Sequence, residues 1–499
     1  MRDLGGRVAA GAAWAMAYKL VERGLGLISV LILARLLLPE DFGLVAVATS
    51  IVALLDILKF FGFDANLIQL RNPTKDHFDT AWTFAAILGA ITGLALAALA
   101  PWVGEFYGDA RLGPVLWALS LAAVVNGLES NGPVAFRREL QWRQDFLFQS
   151  TRKVASVIVT IPLALVLRNY WALVIGIIAG RLAALVMSYL ITPHRPRFTV
   201  SARAELWTFS KWMLITNLLM FVRQRFANLV IGKLTSAEAV GFFIVAYDVT
   251  KLPTAELAAP INRAAFPGFA RIAHDLPRLR SGFLKLLGAV AVVVIPAGAG
   301  VSLTAEPLVR VCLGERWMPA VPAFQLLGIY GAISGLLANS QALYFAIGRP
   351  RLQALMMTVF IVVLVPAALV LTPMYAHVGA AWAYLLAGIV AVPIGLANLC
   401  YCLQLPVSRL IGVLWRPVVA TGAMVAAVSA LAAVLPAPVR LPEAALVLAL
   451  EVPTGAMVYT AALAALWLAM GRPDGAESWL LDTLRQKLRG NAAPKRAAT

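Results

Sequence analysis

Long apolar blocks recur along the whole chain, and they constrain its fold more than any other feature. Leu284–Ala305 is representative: it carries one charge, Lys285, and as a helix it is long enough to cross about 30 Å of hydrocarbon. The composition agrees. With 61% hydrophobic residues, 13% charged residues and a mean hydropathy of +0.81, a chain of 499 residues has too little polar surface to cover a soluble protein. Its length therefore sets a number of spans rather than a number of globular domains.

A hydropathy pass places about fourteen helical segments, at 11–37, 42–63, 79–103, 113–134, 147–167, 171–191, 206–232, 239–260, 283–305, 319–345, 352–372, 378–401, 412–435 and 444–470. The linkers are short, and none is long enough for a soluble domain. Gly11–Leu38 follows Arg2 and Arg7 but is too long for a signal peptide core. It also contains Lys19, Glu22 and Arg23, so it reads as a retained first span.

The connecting segments orient the chain. With the N-terminus inside, the inside set holds about 27 Lys and Arg and the outside set about seven, a roughly fourfold bias. Both termini are then cytoplasmic, and the protein belongs in the cell inner membrane. The net charge of +17 sits at membrane borders facing anionic headgroups, with no compact basic domain for nucleic acid. Three inside segments are amphipathic and suited to the membrane surface: Ala135–Phe146, Arg263–Lys285 and Ala476–Arg489.

Cys312, Cys400 and Cys402 show no disulfide or zinc spacing, and His77, His194, His274 and His377 share no ligand spacing. No metal or cofactor is expected.

The chain repeats itself at an offset of 198 residues. Trp14 meets Trp212, Arg35 meets Lys233, Leu36 meets Leu234, Glu40 meets Glu238 and Gly43 meets Gly241, so Ala34–Gly43 mirrors Gly232–Gly241. The expected architecture is an all-α integral membrane protein with about 14 transmembrane helices: two pseudo-symmetric six-helix lobes plus two C-terminal helices, around a central cationic cavity. The expected boundaries are 1–203, 204–405, 406–472 and a cytoplasmic tail at 473–499.

Charges inside the spans mark that cavity. Each costs about 2.5–3.5 kcal/mol at a span centre, which argues against lipid-facing positions. Lys19, Glu22, Arg23 and Gly26 share one face of the first span, and Asp248 and Lys251 share one face of the eighth. With Asp56, Arg181, Arg223 and Arg225, and with Asn66 and Gln69 for sugar hydroxyls, they form the candidate substrate cavity. Asn217, Asn228 and Gln341 are further hydroxyl partners. Lys59 and Lys211 have the alternative of snorkelling to an interface.

Several stretches carry a family resemblance. Ala34-Arg-Leu-Leu-Leu-Pro-Glu-Asp-Phe-Gly43 and Phe61-Gly-Phe-Asp-Ala-Asn-Leu-Ile-Gln69 resemble the opening signature of polysaccharide flippases, within the multidrug/oligosaccharidyl-lipid/polysaccharide exporter superfamily. Arg137-Arg-Glu-Leu-Gln-Trp-Arg143, Leu313-Gly-Glu-Arg-Trp-Met-Pro-Ala-Val-Pro322 and Ala346-Ile-Gly-Arg-Pro350 are similar to later signatures of the same family. Leu38 departs from it, standing where a glycine commonly precedes the proline.

The resemblance implies alternating access for an undecaprenyl-pyrophosphate-linked oligosaccharide repeat unit, destined for exopolysaccharide or O-antigen-type polymer. A polymerase and a chain-length regulator are its implied partners, besides membrane lipids. Export of an anion from a negative-inside cell gains about 2.3 kcal/mol per charge per 100 mV. Two alternatives stand beside this reading. A cation-coupled multidrug antiporter calls for a cleft dominated by acids. A membrane glycan polymerase or ligase calls for a large outside loop with catalytic residues.

Overall fold

The structure is a computed structural model. It describes residues 2–57, 67, 70, 73–139, 141–202, 210–256, 265, 268–337, 339–435 and 440–471. Among these residues every regular element is a helix. Contacts divide the chain into two compact units, 1–245 with 368–380, and 246–367 with 381–499. The six-helix boundaries expected at 203 and 405 do not coincide with this division, which assigns α8 and the start of α9 to the first unit.

The first unit contains α1 (Arg2–Leu36), α2 (Pro39–Asp56), α3 (Lys75–Tyr107), α4 (Leu112–Gly127), the short α5 (Val134–Arg138), α6 (Trp142–Leu167), α7 (Trp171–Ile191) and α8 (Ser210–Leu234). It also holds the first half of α9 (Ala237–Lys251). The second unit takes the rest of α9, which ends in a π turn at Leu252–Glu256, then α10 (Leu276–Leu303), α11 (Ala305–Cys312), α12 (Val321–Ser334) and α13 (Ser340–Ala346). Most of α14 (Pro350–Leu403), with α15 (Val407–Val434) and α16 (Leu441–Ala469), completes it.

Helix falls in the described part of every apolar block expected from the sequence. Among the described residues, 8 helices are long and apolar enough to cross a membrane. One of them, α14, is interrupted at Ala376 (φ 49°, ψ −129°), which makes it two helices joined by a sharp bend. The bend is tight: a Cβ on Gly379 would run into the Leu371 carbonyl. The surface fits hydrocarbon rather than water, since Leu94, Val166, Leu190 and Val434 are each more than two-thirds exposed.

Within Ala135–Phe146, α5 ends at Arg138 and α6 begins at Trp142, five residues before the expected span. In Arg263–Lys285 helix resumes at Leu276, N-capped by Asp275, whose carboxylate accepts from the Arg278 amide. The amphipathic tail segment at 476–489 lies outside the described residues.

The turn between α1 and α2 shows why its sequence is built as it is. Pro39 opens α2, where its missing N–H costs nothing. Asp41 reaches back to accept from the Leu38 amide at 2.9 Å and also accepts from the Tyr170 amide at 3.0 Å, tying this turn to the one between α6 and α7. Leu38 is extended (φ −83°, ψ 153°), so no glycine is needed before the proline. In the second copy Ser236 does the capping, its hydroxyl accepting from the Ala239 amide at 3.2 Å.

The two copies of the repeat meet. A Cβ on Gly43 would lie 2.6 Å from the carbonyl carbon of Ala237, and a Cβ on Gly241 would lie 2.6 Å from that of Pro39. Gly43 and Gly241, and likewise Pro39 and Ala237, are the residues that the 198-residue offset equates. The contact is therefore self-complementary, as across a two-fold axis. Below it, Asn228 of α8 donates to the Ser50 hydroxyl of α2 at 3.2 Å, with both side chains fully buried.

Candidate functional site

A polar cluster lies among α1, α2, α4, α6 and α7 of the first unit. Tyr18 and Glu22, one turn apart on α1, are hydrogen-bonded, and Tyr18 also feels the charges of Arg152 and Arg137. Gly26 leaves room on the same helix for the Lys153 ammonium, 3.8 Å from where its Cβ would be. Arg152 donates to Glu129 at 2.8 Å, and Arg181 donates to the Asn126 side-chain oxygen. Arg181 also interacts electrostatically with Arg152, Asp56 and Glu129.

Of the residues proposed from sequence, Glu22, Asp56 and Arg181 are thus brought into one neighbourhood, with Arg23 half-buried beside Glu22 on α1. Arg223 and Arg225 are half-buried on α8 of the same unit. Asp248 and Lys251 fall in the second unit, where the Lys251 ammonium stands 5.9 Å from the Tyr247 ring centroid. That ring packs on Tyr384, which packs on Tyr330 and Phe360. Asn66, Gln69 and the side chain of Lys19 lie outside the described residues. Asn228, offered as a sugar partner, is instead a buried tie between α8 and α2.

Arg152, Lys153, Glu129, Asn126 and Tyr18 were missed. Arg152 and Lys153 count among the inside cations although they fall within the expected span at 147–167; α6 carries them two to three turns into a helix. The signal was present: Gln149, Arg152, Lys153, Ser156 and Thr160 recur at helical spacing. Ser156 and Thr160 face Gly180 and Gly176 of α7, which sets the rotation of the stripe.

The cluster can bind a polar anion only in exchange for internal contacts, because its cations already face carboxylates or an amide. Arg152, still partly exposed, is paired with Glu129, and Arg181 with Asn126. Such an arrangement suits a ligand that is bound and then released, since the internal partners re-form when it leaves.

At the unit's other end the turns α1–α2, α3–α4 and α8–α9 surround a cavity of about 470 Å³ lined by Glu40, Tyr107, Asp109, Arg111, Ser236 and Glu238 among others. Arg111 holds Asp109 bidentately, at 3.0 and 2.9 Å, and lies 3.5 Å from Glu40. Burial alone raises the Asp109 pKa, but the Arg111 hydrogen bonds outweigh it and hold the carboxyl below its ordinary value.

The His194 Nε2–H donates to the Asp79 carboxylate at 2.9 Å, and burial pushes the imidazole below the ordinary value against the pull of that carboxylate. This pair ties the segment after α7 to the start of α3.

The comparisons agree with this architecture. The model of the family described as polysaccharide biosynthesis protein matches residues 32–322, more than half of the chain. Lipopolysaccharide biosynthesis protein WzxC of Escherichia coli (strain K12) is 27% identical over 331 residues, covering 65% of this chain and 66% of that protein. Succinoglycan biosynthesis transport protein ExoT of Rhizobium meliloti (strain 1021) is 24% identical over 321 residues, covering 63% and 64%. The chain thus spans just under two-thirds of the length of these two relatives. Among solved structures, the lipid II flippase MurJ in an inward closed conformation matches with a TM-score of 0.73 over 92% of this chain and 100% of that one. At 13% identity this is a likeness of fold. The chain belongs to the polysaccharide biosynthesis protein family.

Proposed function

We propose that this protein moves an undecaprenyl-pyrophosphate-linked oligosaccharide repeat unit from the cytoplasmic to the periplasmic leaflet of the inner membrane. It does so by alternating access, through fourteen crossings with both termini in the cytoplasm. The lobes are the two copies of the 198-residue repeat, 1–203 and 204–405, and the last two helices stand outside them. A polymerase and a chain-length regulator consume the product.

The observation that carries this reading is the paired cluster of Arg152, Lys153 and Arg181 with Glu22, Glu129 and Asp56 inside a helix bundle. Charges within spans are costly and are retained where they meet a polar cargo. Guanidinium groups suit a pyrophosphate because their fork of donors matches its oxygens. Glu129, which holds Arg152, and Asn126, which holds Arg181, give way to the phosphates and take the cations back on release. The named relatives support the cargo class: one is a lipopolysaccharide biosynthesis protein, another a succinoglycan biosynthesis transport protein. The fold neighbour is a lipid II flippase.

Polymer export in cells dependent on this gene tests the reading. Arg152→Gln with Arg181→Gln, at wild-type abundance in the membrane, is expected to abolish export and to accumulate lipid-linked repeat units. Undiminished export by that double variant overturns the assignment of the cluster.

A further inference from the structure

In the second unit, α10, α15 and α16 enclose a cavity of about 380 Å³ that the polar cluster does not involve. Prolines shape it. Pro296 in α10 removes the amide that would otherwise bond to the Val292 carbonyl, and the Tyr459 hydroxyl of α16 donates to that carbonyl at 2.7 Å instead. Pro453 interrupts α16 in the same way two residues after Glu451. The walls are mostly apolar, with Pro296, Gly300, Met424, Val428 and Gly455 among them.

Glu451 stands in this wall, 4% exposed, and its Oε2 has no hydrogen-bond partner among the described residues. A buried carboxyl oxygen without a donor is costly to leave unmatched. Glu306, half-exposed at the start of α11, acts on it as a second negative charge, partly offset by Arg310 at 3.5 Å from Glu306.

We propose that this cavity binds a lipophilic amine: an apolar body fills the space, and one protonated nitrogen donates to Glu451. A single occupant then meets both demands, the empty apolar volume and the unmatched carboxyl. A proton alone meets the second and leaves the volume unfilled. An anion is repelled by Glu451 and Glu306. An alcohol of equal length satisfies the hydrogen bond but not the charge. This site stands apart from the flipping reading and survives or fails without it.

Binding of radiolabelled octylamine to the purified full-length protein in nanodiscs tests it, with octanol as competitor and thermal stability as a second readout. Saturable octylamine binding and a raised melting temperature are expected, with octanol at least tenfold weaker. Glu451→Gln, nearly isosteric, is expected to lose octylamine affinity at least tenfold. Gly300→Leu keeps the carboxyl and fills the cavity, because a Cβ at Gly300 meets nothing within 4 Å. It too is expected to lose binding, which keeps the test decisive if the glutamine variant folds poorly. Equal octylamine binding by wild type and either folded variant overturns the proposal, as does octanol competing as well as the amine.

Discussion

Replacing Gly43 with alanine puts a methyl group where α2 and α9 cross backbone to backbone. The new Cβ would sit 2.6 Å from the Ala237 carbonyl carbon and 2.8 Å from the Gly241 nitrogen. Carbon–carbon contacts relax at about 3.5–4.0 Å, so the helices must part by roughly 1 Å. No flexible side chain is available to yield, since the obstructing atoms are main chain. The same parting stretches the Asn228–Ser50 hydrogen bond from 3.2 Å beyond bonding distance. Overpacking costs about 1–3 kcal/mol and a newly unmatched buried amide about 1–3 more, so the expected loss is about 3 kcal/mol or greater. In a unit of this size that lowers the melting temperature by about 6–12 °C, measured on purified protein in detergent. Gly241→Ala should match it, because the contact is self-complementary. Gly268→Ala is the control, as its Cβ meets nothing within 4 Å. If Gly43→Ala melts within about 2 °C of wild type, by the same scaling, the close crossing and the two-fold relation built on it are wrong.

Three further predictions follow from local geometry. Ala376 holds φ 49°, ψ −129°, so Ala376→Gly is expected to stabilise the protein by about 1 kcal/mol, read as a higher melting temperature. Exchanging the partners of the Arg152–Glu129 pair (Arg152→Glu with Glu129→Arg) should restore more export than either single change allows. The stability coupling of that pair should stay under about 1 kcal/mol, because the Arg152 side chain is 43% exposed. His194 has a folded-state pKa below its unfolded value, so the folded state resists protonation relative to the unfolded chain. Its stabilising contribution is therefore full above about pH 6.5 and is lost as pH falls through that value. The melting temperature should drop between pH 7.5 and pH 5.5 by more in wild type than in His194→Asn, and parallel profiles would contradict this.

The fold was readable because membrane helices announce themselves by block length. The gap left between the blocks ending at 372 and beginning at 378 falls where the backbone turns at Ala376. The equation of Gly43 with Gly241 identified the two positions that later proved to touch. The candidate site was less visible. Arg152 finds Glu129 across 23 residues, and Arg181 finds Asn126 across 55, pairings that no local spacing encodes. Arg152 and Lys153 lie within the expected span at 147–167, but spacing alone does not tell a cation at a membrane border from one turned into a cluster. Glu451 escaped notice because one acid in an otherwise apolar block scarcely lowers its hydropathy. Only the three-dimensional packing shows that its Oε2 has no hydrogen-bond partner among the described residues.

Flipping itself is the most direct measurement. Proteoliposomes holding the purified chain and a fluorescent undecaprenyl-pyrophosphate-linked oligosaccharide are sealed, and the sugar exposed on the outer face is cleaved by an added glycosidase over time. Wild type is expected to render nearly all of the labelled sugar cleavable within minutes, whereas Arg152→Gln with Arg181→Gln leaves the inner-leaflet half protected, as in protein-free vesicles. Protection of the inner half by well-folded wild-type protein, or full exposure by the double variant, would contradict it.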